Sequence, residues 1–173
     1  TLIIQMIPEW SEDTLLGFKY LEGGFTNNNF LFERRNRNLT EKYVLRSPVM
    51  AQPLQSRTNE FQLYQSLEPD ISPDLIAFDT DSGAMITRYV EGELLVDCHT
   101  SYHEPDELVG YIKSLHNSLP RTEKCYDLSS LMSAYVPNFN DTDFPELRKL
   151  EQYVSCDNDL NPWNIIVNSA TWI

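Results

Sequence analysis

The chain has 173 residues, which is long enough to bury a core as one domain or as two small lobes. Its hydrophobic content of 41% indicates a globular protein and excludes a disordered one. The 26 acidic and 13 basic residues give a net charge of -13, which argues against nucleic acid or an anionic membrane as a partner and is compatible with a cationic substrate.

Two features of the sequence favour a cytoplasmic location. The apolar run near the N-terminus, in TLIIQMIPEW, is too short to cross a bilayer and has no basic flank. The cysteines Cys98, Cys125 and Cys156 are odd in number and lack C-x-x-C spacing. This usage argues against a disulfide framework or a zinc site and indicates a reducing compartment.

Alternating apolar residues predict three antiparallel strands in the first part of the chain. The alternation runs from Leu16 to Tyr20, resumes at Phe30 and Phe32, and gives a third short run from Tyr43 to Arg46. A glycine-containing turn separates the first two strands, and residues 34–40 are predicted to form a polar turn between the second and third.

The turn between the first two strands reads EGGFTNNN. At Gly23, Gly24, Thr26, Asn27 and Asn28, backbone N–H groups and small polar side chains can approach phosphate oxygens. An ordinary hairpin turn is the alternative, because glycine and asparagine are the usual turn residues.

The segment SRTNEFQLYQSLE is predicted to be a helix, with Ser56 or Thr58 as its N-cap. Arg46 ends the third strand and Glu60 lies on this helix. In kinases, the cation of the third strand grips the phosphates and is fixed by a glutamate of the following helix. Arginine can fill this role as a forked donor. The order predicts an Arg46–Glu60 ion pair, and the alternative is a surface cation near a solvated acid.

Further elements follow towards the C-terminus. Residues 75–78 and 84–90 are predicted to form a hairpin, and Glu91-Gly92-Glu93 indicates a crossing to a second lobe. Apolar residues from Leu108 to Leu119 recur at helical spacing up to Pro120. Residues 121–154 have helical character with poor periodicity.

A polar stretch near the end of the chain has the D-x-x-x-x-N spacing of a kinase catalytic loop. It begins at Asp159, ends at Asn164, and runs into a short predicted strand at residues 165–167. This spacing places a general base and a metal ligand on opposite sides of one loop.

These motifs together resemble the choline/ethanolamine kinase and aminoglycoside phosphotransferase superfamily, over most of residues 21–173. The stretches that carry the resemblance are GGFTNNNFLF, YVLRSP, NEFQLY, DTDSGAMITRYVEG and NDLNPWNI. The resemblance implies an α+β, protein-kinase-like two-lobed fold. Residues 1–87 would form a nucleotide-binding lobe with an antiparallel sheet and one helix, residues 88–92 a hinge, and residues 93–173 a mostly helical, incomplete C-terminal lobe.

The resemblance also implies an activity that uses ATP and Mg²⁺ to phosphorylate the hydroxyl of a small cationic alcohol of the choline, ethanolamine or thiamine type. By position, Asp159 would be the catalytic base, Asn164 a magnesium ligand, and Asn161 a neighbour of the phosphates. The Arg88 carbonyl and the Val90 amide would meet the adenine edge. His116 matches an LH pair of the family and is interpreted as a packed structural histidine. The acceptor and the oligomeric state stay open.

The sequence departs from the family pattern at two places. Asp157 stands where the family has a histidine two residues before the base, and a second carboxylate there can raise one of the two pKa values by like-charge repulsion. Family members also continue from a strand such as residues 170–173 into Asp-Trp-Glu or Asp-Phe-Glu, whose aspartate is the principal magnesium ligand. We therefore expect a longer protein, with these 173 residues alone binding nucleotide without turnover. The alternative is a degenerate nucleotide-binding or interaction module.

Overall fold

A computed structural model describes residues 1–22, 26–50, 56–67, 71–98, 105–120, 127–143 and 161–168. The helices in these ranges are α1 (Leu2–Met6), α2 (Arg57–Ser66), α3 (Pro105–Ser118) and α4 (Leu128–Tyr135). The strands are β1 (Leu15–Leu21), β2 (Asn27–Asn36), β3 (Leu39–Pro48), β4 (Leu75–Phe78), β5 (Met85–Arg88), β6 (Glu93–Leu94) and β7 (Ile166–Val167). Short 3-10 turns cover Glu12–Thr14, Leu95–Asp97 and Asp141–Asp143. The chain is α+β, as the sequence predicts.

Five strands form one antiparallel sheet in the order β1-β2-β3-β5-β4. The three strands predicted before Pro48 and the hairpin predicted after residue 74 are therefore confirmed. In the register, Phe32 lies opposite Tyr43, and Leu45 lies between Phe30 and Ile86. Because side chains alternate along each strand, these residues share one face of the sheet.

The core lies on that face and is covered by α1. Ile3 of α1 is buried against Phe32, Tyr43 and Leu45, and the ring of Trp10 lies 4.9 Å from the ring of Tyr43 between centroids. The sequence does not predict this helix, because five residues are too few to display a helical period. The N-terminal apolar run is thus part of the core.

The opposite face of the sheet contacts α2. Ser56 caps this helix by accepting a hydrogen bond from the Asn59 N–H at 3.3 Å, which confirms the predicted cap. The rings of Phe61 and Tyr64 lie 5.5 and 6.5 Å from that of Phe78 on β4, between centroids. These contacts dock the helix beside the end of β3.

Two predicted boundaries are wrong. Residues 34–40 are not one polar turn, because β2 continues to Asn36, β3 begins at Leu39, and Arg37 turns the chain with a φ of 54°. Polar residues stay in the strands here because they bond across them, as in the Arg34–Glu41 ion pair at 3.6 Å. The second strand of the later hairpin covers only residues 85–88, since the chain leaves the sheet after Arg88.

Beyond the sheet, β6 pairs antiparallel with β7. The strand predicted at residues 165–167 is confirmed over Ile166–Val167, and α3 confirms the helix predicted to end before Pro120. The region predicted as helical after residue 120 contains α4. Residues 121–126, 144–160 and 169–173 lie outside the described residues, and with them the strand predicted at 170–173. Within the described ranges, no helix is long and apolar enough to cross a membrane.

Candidate functional site

The predicted ion pair between Arg46 and Glu60 is present. Arg46 Nη2 donates to Glu60 Oε1 at 2.5 Å, and the two side chains are only 18% and 15% exposed. Leu45, the neighbour of Arg46 on β3, points into the core. Because side chains alternate along a strand, Arg46 points to the other face of the sheet, where α2 lies. Glu60 lies in the first turn of α2, where a carboxylate also complements the helix dipole.

A second arginine, which none of the sequence motifs includes as a site residue, holds the same carboxylate. Arg57 Nη1 donates to Glu60 Oε2 at 2.8 Å, and its side chain is 16% exposed. The two residues stand three apart on α2, a spacing that brings side chains together and is the signal that could have found this contact. Arg46, Arg57 and Glu60 therefore form a half-buried cluster with two positive charges and one negative charge.

The guanidinium of Arg46 has remaining capacity to donate. Its Nη2 also donates to the Gly83 carbonyl at 3.3 Å, whereas its Nε is buried without a hydrogen-bond partner among the described residues. Buried polar groups in proteins are nearly always bonded. An anionic oxygen is a fitting partner for this N–H group, so the cluster suits a phosphate-bearing ligand.

The predicted nucleotide loop is only partly described, since Gly23 and Gly24 lie outside the described residues. The Thr26 carbonyl accepts a hydrogen bond from the Val49 N–H at 3.0 Å, and Asn27 begins β2. The Asn27 amide donates to Thr26 Oγ1 at 3.1 Å. This end of β2 is therefore fixed to β3, two residues beyond Arg46 in the register.

Asn28 and Asn29 lie on different faces of the sheet. Asn28 accepts a hydrogen bond from the Tyr20 hydroxyl at 3.3 Å, on the face that holds the core. Asn29 lies directly opposite Arg46 in the register and shares its face. Asn29 is thus the asparagine of this strand that stands beside the arginine, although the sequence pattern selects Asn27 and Asn28.

The side chain of Arg88 lies between two acids at the end of β5. It lies 3.3 Å from Glu41 and 3.7 Å from Asp74, and its guanidinium lies 5.5 Å from the Tyr43 ring centroid. Burial opposes ionisation of Glu41, but hydrogen bonds from Tyr43 and Arg88 outweigh it and lower the pKa of this carboxyl. Burial, followed by the bond to Glu41, raises the pKa of Tyr43.

Successive backbone amides at the end of β5 face opposite neighbours. The Arg88 N–H donates to the Asp74 carbonyl at 2.9 Å, and the Tyr89 N–H donates to the Lys42 carbonyl at 3.0 Å. This alternation is that of an extended chain. The adenine contacts expected of the Arg88 carbonyl and the Val90 amide stay predictions.

Asn161 and Asn164 are brought together by a turn. The Asn164 N–H donates to the Asn161 carbonyl at 2.9 Å, and the Trp163 N–H donates to the Asn161 side-chain oxygen at 3.0 Å. Pro162 suits this turn because its fixed φ matches the second turn position. Asn161 therefore shapes the loop that presents Asn164, while Asp159 lies outside the described residues.

The loop is attached to the segment that follows the predicted hinge. The Val96 N–H donates to the Pro162 carbonyl at 3.1 Å, and the Leu95 N–H donates to the Ile165 carbonyl at 2.9 Å. A Cβ on Gly92 would lie 2.6 Å from the Ile166 side chain, so only glycine fits this approach. These contacts place the asparagine loop directly beside the chain that leaves β5.

Two other predictions concern the C-terminal part. His116 lies on α3, and its Nε2 is buried without a hydrogen-bond partner among the described residues, so its structural role stays a prediction. In the described ranges, no three His, Cys, Asp or Glu side chains cluster as a metal site would require. Asp157 and Asp159 belong to the part of the chain that is not described.

No protein-family model matches the chain, and a search of curated proteins found no relative.

Proposed function

We propose that the protein is an ATP-dependent phosphotransferase that moves the γ-phosphate to the hydroxyl of a small cationic alcohol. The observation that carries the proposal is the Arg46–Glu60 pair, in which a strand-three cation is held by the helix that follows it. Kinases use this arrangement to aim a cation at the nucleotide phosphates. The buried Nε of Arg46 supplies a donor suited to a phosphate oxygen.

The order of elements supports a protein-kinase-like, two-lobed arrangement. A turn between β1 and β2, the arginine on β3, the glutamate on α2 and the exit from β5 follow each other in the order of a nucleotide-binding lobe. In this proposal residues 1–87 form that lobe, residues 88–92 the hinge, and residues 93–173 the lobe that carries the catalytic loop. The odd number of cysteines, without C-x-x-C spacing, fits a reducing compartment such as the cytoplasm.

The roles of the remaining residues follow from their chemistry. Asp159 would accept the proton of the attacking hydroxyl, and the Arg88 carbonyl and Val90 amide would bind the adenine edge. The amide oxygen of Asn164 is a hard ligand of the type that Mg²⁺ accepts, and bound Mg²⁺ would neutralise charge on the phosphates. Asn161 would act through the turn that it closes with Asn164.

A cationic acceptor is proposed from the family resemblance first and from the net charge of -13 second. A carboxylate-rich surface raises the local concentration of cations, and aromatic side chains bind quaternary or protonated nitrogen by cation–π contacts. Choline, ethanolamine and thiamine are the acceptors to compare, with an aminoglycoside as the larger polycation.

One sequence observation favours a second function, a degenerate kinase-like module that binds nucleotide without catalysis. Asp157 occupies the position of the histidine that usually precedes the base. A carboxylate there removes the imidazole and places two acids two residues apart, and like-charge repulsion disfavours ionisation of both, so Asp159 competes with Asp157 for the ionised state that a base needs. This alternative shares the nucleotide site and differs only in turnover.

Nucleotide binding is tested by titrating the chain with ADP and with adenosine in a calorimeter. Arg46→Met should weaken ADP binding by about 10- to 100-fold, the range for lost hydrogen bonds to charged groups, and leave adenosine unchanged. Arg35→Met, which removes an exposed arginine of β2, is the control with the same charge change and should alter neither ligand.

Absence of ADP binding by the unmodified chain would overturn the proposal, as would equal effects of the two arginine variants. Release of ADP that depends on one of the four acceptors identifies the phosphotransferase. Nucleotide binding without acceptor-dependent release from the longest form of the protein favours the degenerate module.

A further inference from the structure

The turn between β4 and β5 contacts both arginines of the charged cluster. Arg46 donates to the Gly83 carbonyl at 3.3 Å, and the guanidinium of Arg57 occupies the space where a side chain on Gly83 would lie. A Cβ on Gly83 would come within 2.3 Å of Arg57 Nε and 2.5 Å of its Cζ. Gly83 also has a φ of 75°, which favours glycine.

The turn itself is fixed by its own hydrogen bonds. The Gly83 N–H donates to the Asp79 carbonyl at 2.7 Å, and the Asp79 N–H donates to the Ala84 carbonyl at 2.9 Å. The Asp79 carboxylate also accepts from the Ser82 hydroxyl and from the Asp81 N–H. Arg57 therefore packs against a hydrogen-bonded turn, and it reaches Glu60 from there.

We propose that Arg57 is a positioning residue, which orients Glu60 so that Arg46 points at the nucleotide phosphates. Each oxygen of the Glu60 carboxylate takes a different guanidinium, Nη2 of Arg46 and Nη1 of Arg57. A carboxylate held at one oxygen by a packed guanidinium cannot rotate freely, so its other oxygen presents a fixed acceptor to Arg46. This inference rests on the proposed function, because it assumes that Arg46 binds phosphate.

The geometry distinguishes this role from direct phosphate binding by Arg57. Its Nη1 is engaged by Glu60, and the Nε and Cζ atoms lie against Gly83. The guanidinium is thus enclosed between α2 and the β4–β5 turn. Displacing the guanidinium with a side chain at position 83, which leaves its charge unchanged, should therefore weaken ADP binding as much as removing Arg57 does.

The experiment measures dissociation constants for ADP and adenosine with Arg57→Met, Gly83→Ala and the double variant. The control is Gly17→Ala, because Gly17 also has a positive φ of 62° but its added Cβ would meet only the Glu33 side chain at an ordinary 3.8 Å. Gly17→Ala therefore reports backbone strain without displacement of Arg57. Thermal unfolding shows whether Arg57→Met is folded. If it is not, Arg57→Lys replaces it, because lysine keeps the charge but loses the planar, forked guanidinium.

Arg57→Met and Gly83→Ala should each weaken ADP binding by roughly 5- to 20-fold, with adenosine within about twofold; the effect is smaller than that of Arg46→Met because Arg46 stays in place and loses only its fixed orientation. The double variant should be no weaker than Arg57→Met alone, because the alanine methyl then enters space that the arginine has left. Arg57→Lys should fall between the wild type and Arg57→Met.

Three results would overturn the inference while leaving the proposed function intact. If Gly83→Ala behaves like Gly17→Ala while Arg57→Met weakens ADP binding, Arg57 acts through its charge on the phosphates. If adenosine and ADP weaken equally, Arg57 only supports the fold. If no variant changes ADP binding, Arg57 has no part in the site. Failure of the unmodified chain to bind ADP would overturn the proposed function and this inference together.

Discussion

Replacing Glu60 with glutamine tests the charged cluster most directly. The carboxylate accepts from Arg46 at 2.5 Å and from Arg57 at 2.8 Å. Glutamine has nearly the same size, but it supplies one acceptor oxygen instead of two and no charge. Glu60→Gln therefore leaves two guanidinium groups close together without their counter-ion.

The burial of the three side chains sets the expected loss of stability. Breaking a fully buried ion pair costs about 3–5 kcal/mol, and an exposed pair contributes about 0–1 kcal/mol. Glu60, Arg46 and Arg57 are 15%, 18% and 16% exposed, so they lie nearer to the buried limit. We expect Glu60→Gln to lower the free energy of unfolding by about 2–3 kcal/mol, which is a fall in Tm of roughly 4–12 °C for a chain of this size.

The single arginine variants should be milder, because Glu60 keeps the other arginine in each of them. Arg46→Met and Arg57→Met should each lower the free energy of unfolding by about 1–2 kcal/mol. Thermal unfolding, monitored by circular dichroism, ranks the variants by Tm. The control is Glu91→Gln, which removes the exposed partner of Lys42 at 2.8 Å and should leave Tm unchanged. A Glu60→Gln protein as stable as Glu91→Gln would refute the cluster as described.

Further substitutions test other parts of the structure. Gly92→Ala should separate β6 from β7 and lower Tm, because its Cβ would lie 2.6 Å from the Ile166 side chain. The control is Gly110→Ala on α3, where the added Cβ would meet open space and Tm should rise slightly. In an assay that detects acceptor-dependent ADP release, Asp159→Asn should remove nearly all of that release and leave ATP affinity within a few-fold. An Asp159→Asn variant that keeps most of its kcat would contradict the assignment of Asp159 as the base. The lowered pKa of Glu41 means that its contribution to stability is present above its unfolded pKa and is lost as pH falls through the folded pKa. The fall in Tm between neutral and acid pH should therefore be smaller in Glu41→Gln, and an unchanged difference would contradict the hydrogen bonds assigned to it.

The sequence by itself determines the elements whose signals are local. Alternation from Phe30 to Phe32 and from Tyr43 to Arg46 predicts strands that pair in the sheet. Ser56 predicts the start of α2, because a capping side chain acts on an amide three residues away. The Arg46–Glu60 pair was also predictable, since the order of a strand-three cation and a helix glutamate is itself a pattern.

Only the tertiary structure decides the contacts between residues that are distant in sequence. The five-residue helix α1 has too little length for a period, and it forms because Ile3 is buried against the sheet. The strand at Ile166–Val167 has a signal in the sequence, but its partner β6 is two residues long and carries none, so their pairing is decided by the tertiary structure.

The position of Arg57 shows the same limit within the candidate site. Its spacing from Glu60 is visible in the sequence, but its packing against Gly83 depends on how α2 docks beside the β4–β5 turn. Local propensity fixes α2 and the turn separately, whereas burial of side chains between them fixes their distance. The sequence therefore determines which charges are available, and packing decides which of them meet.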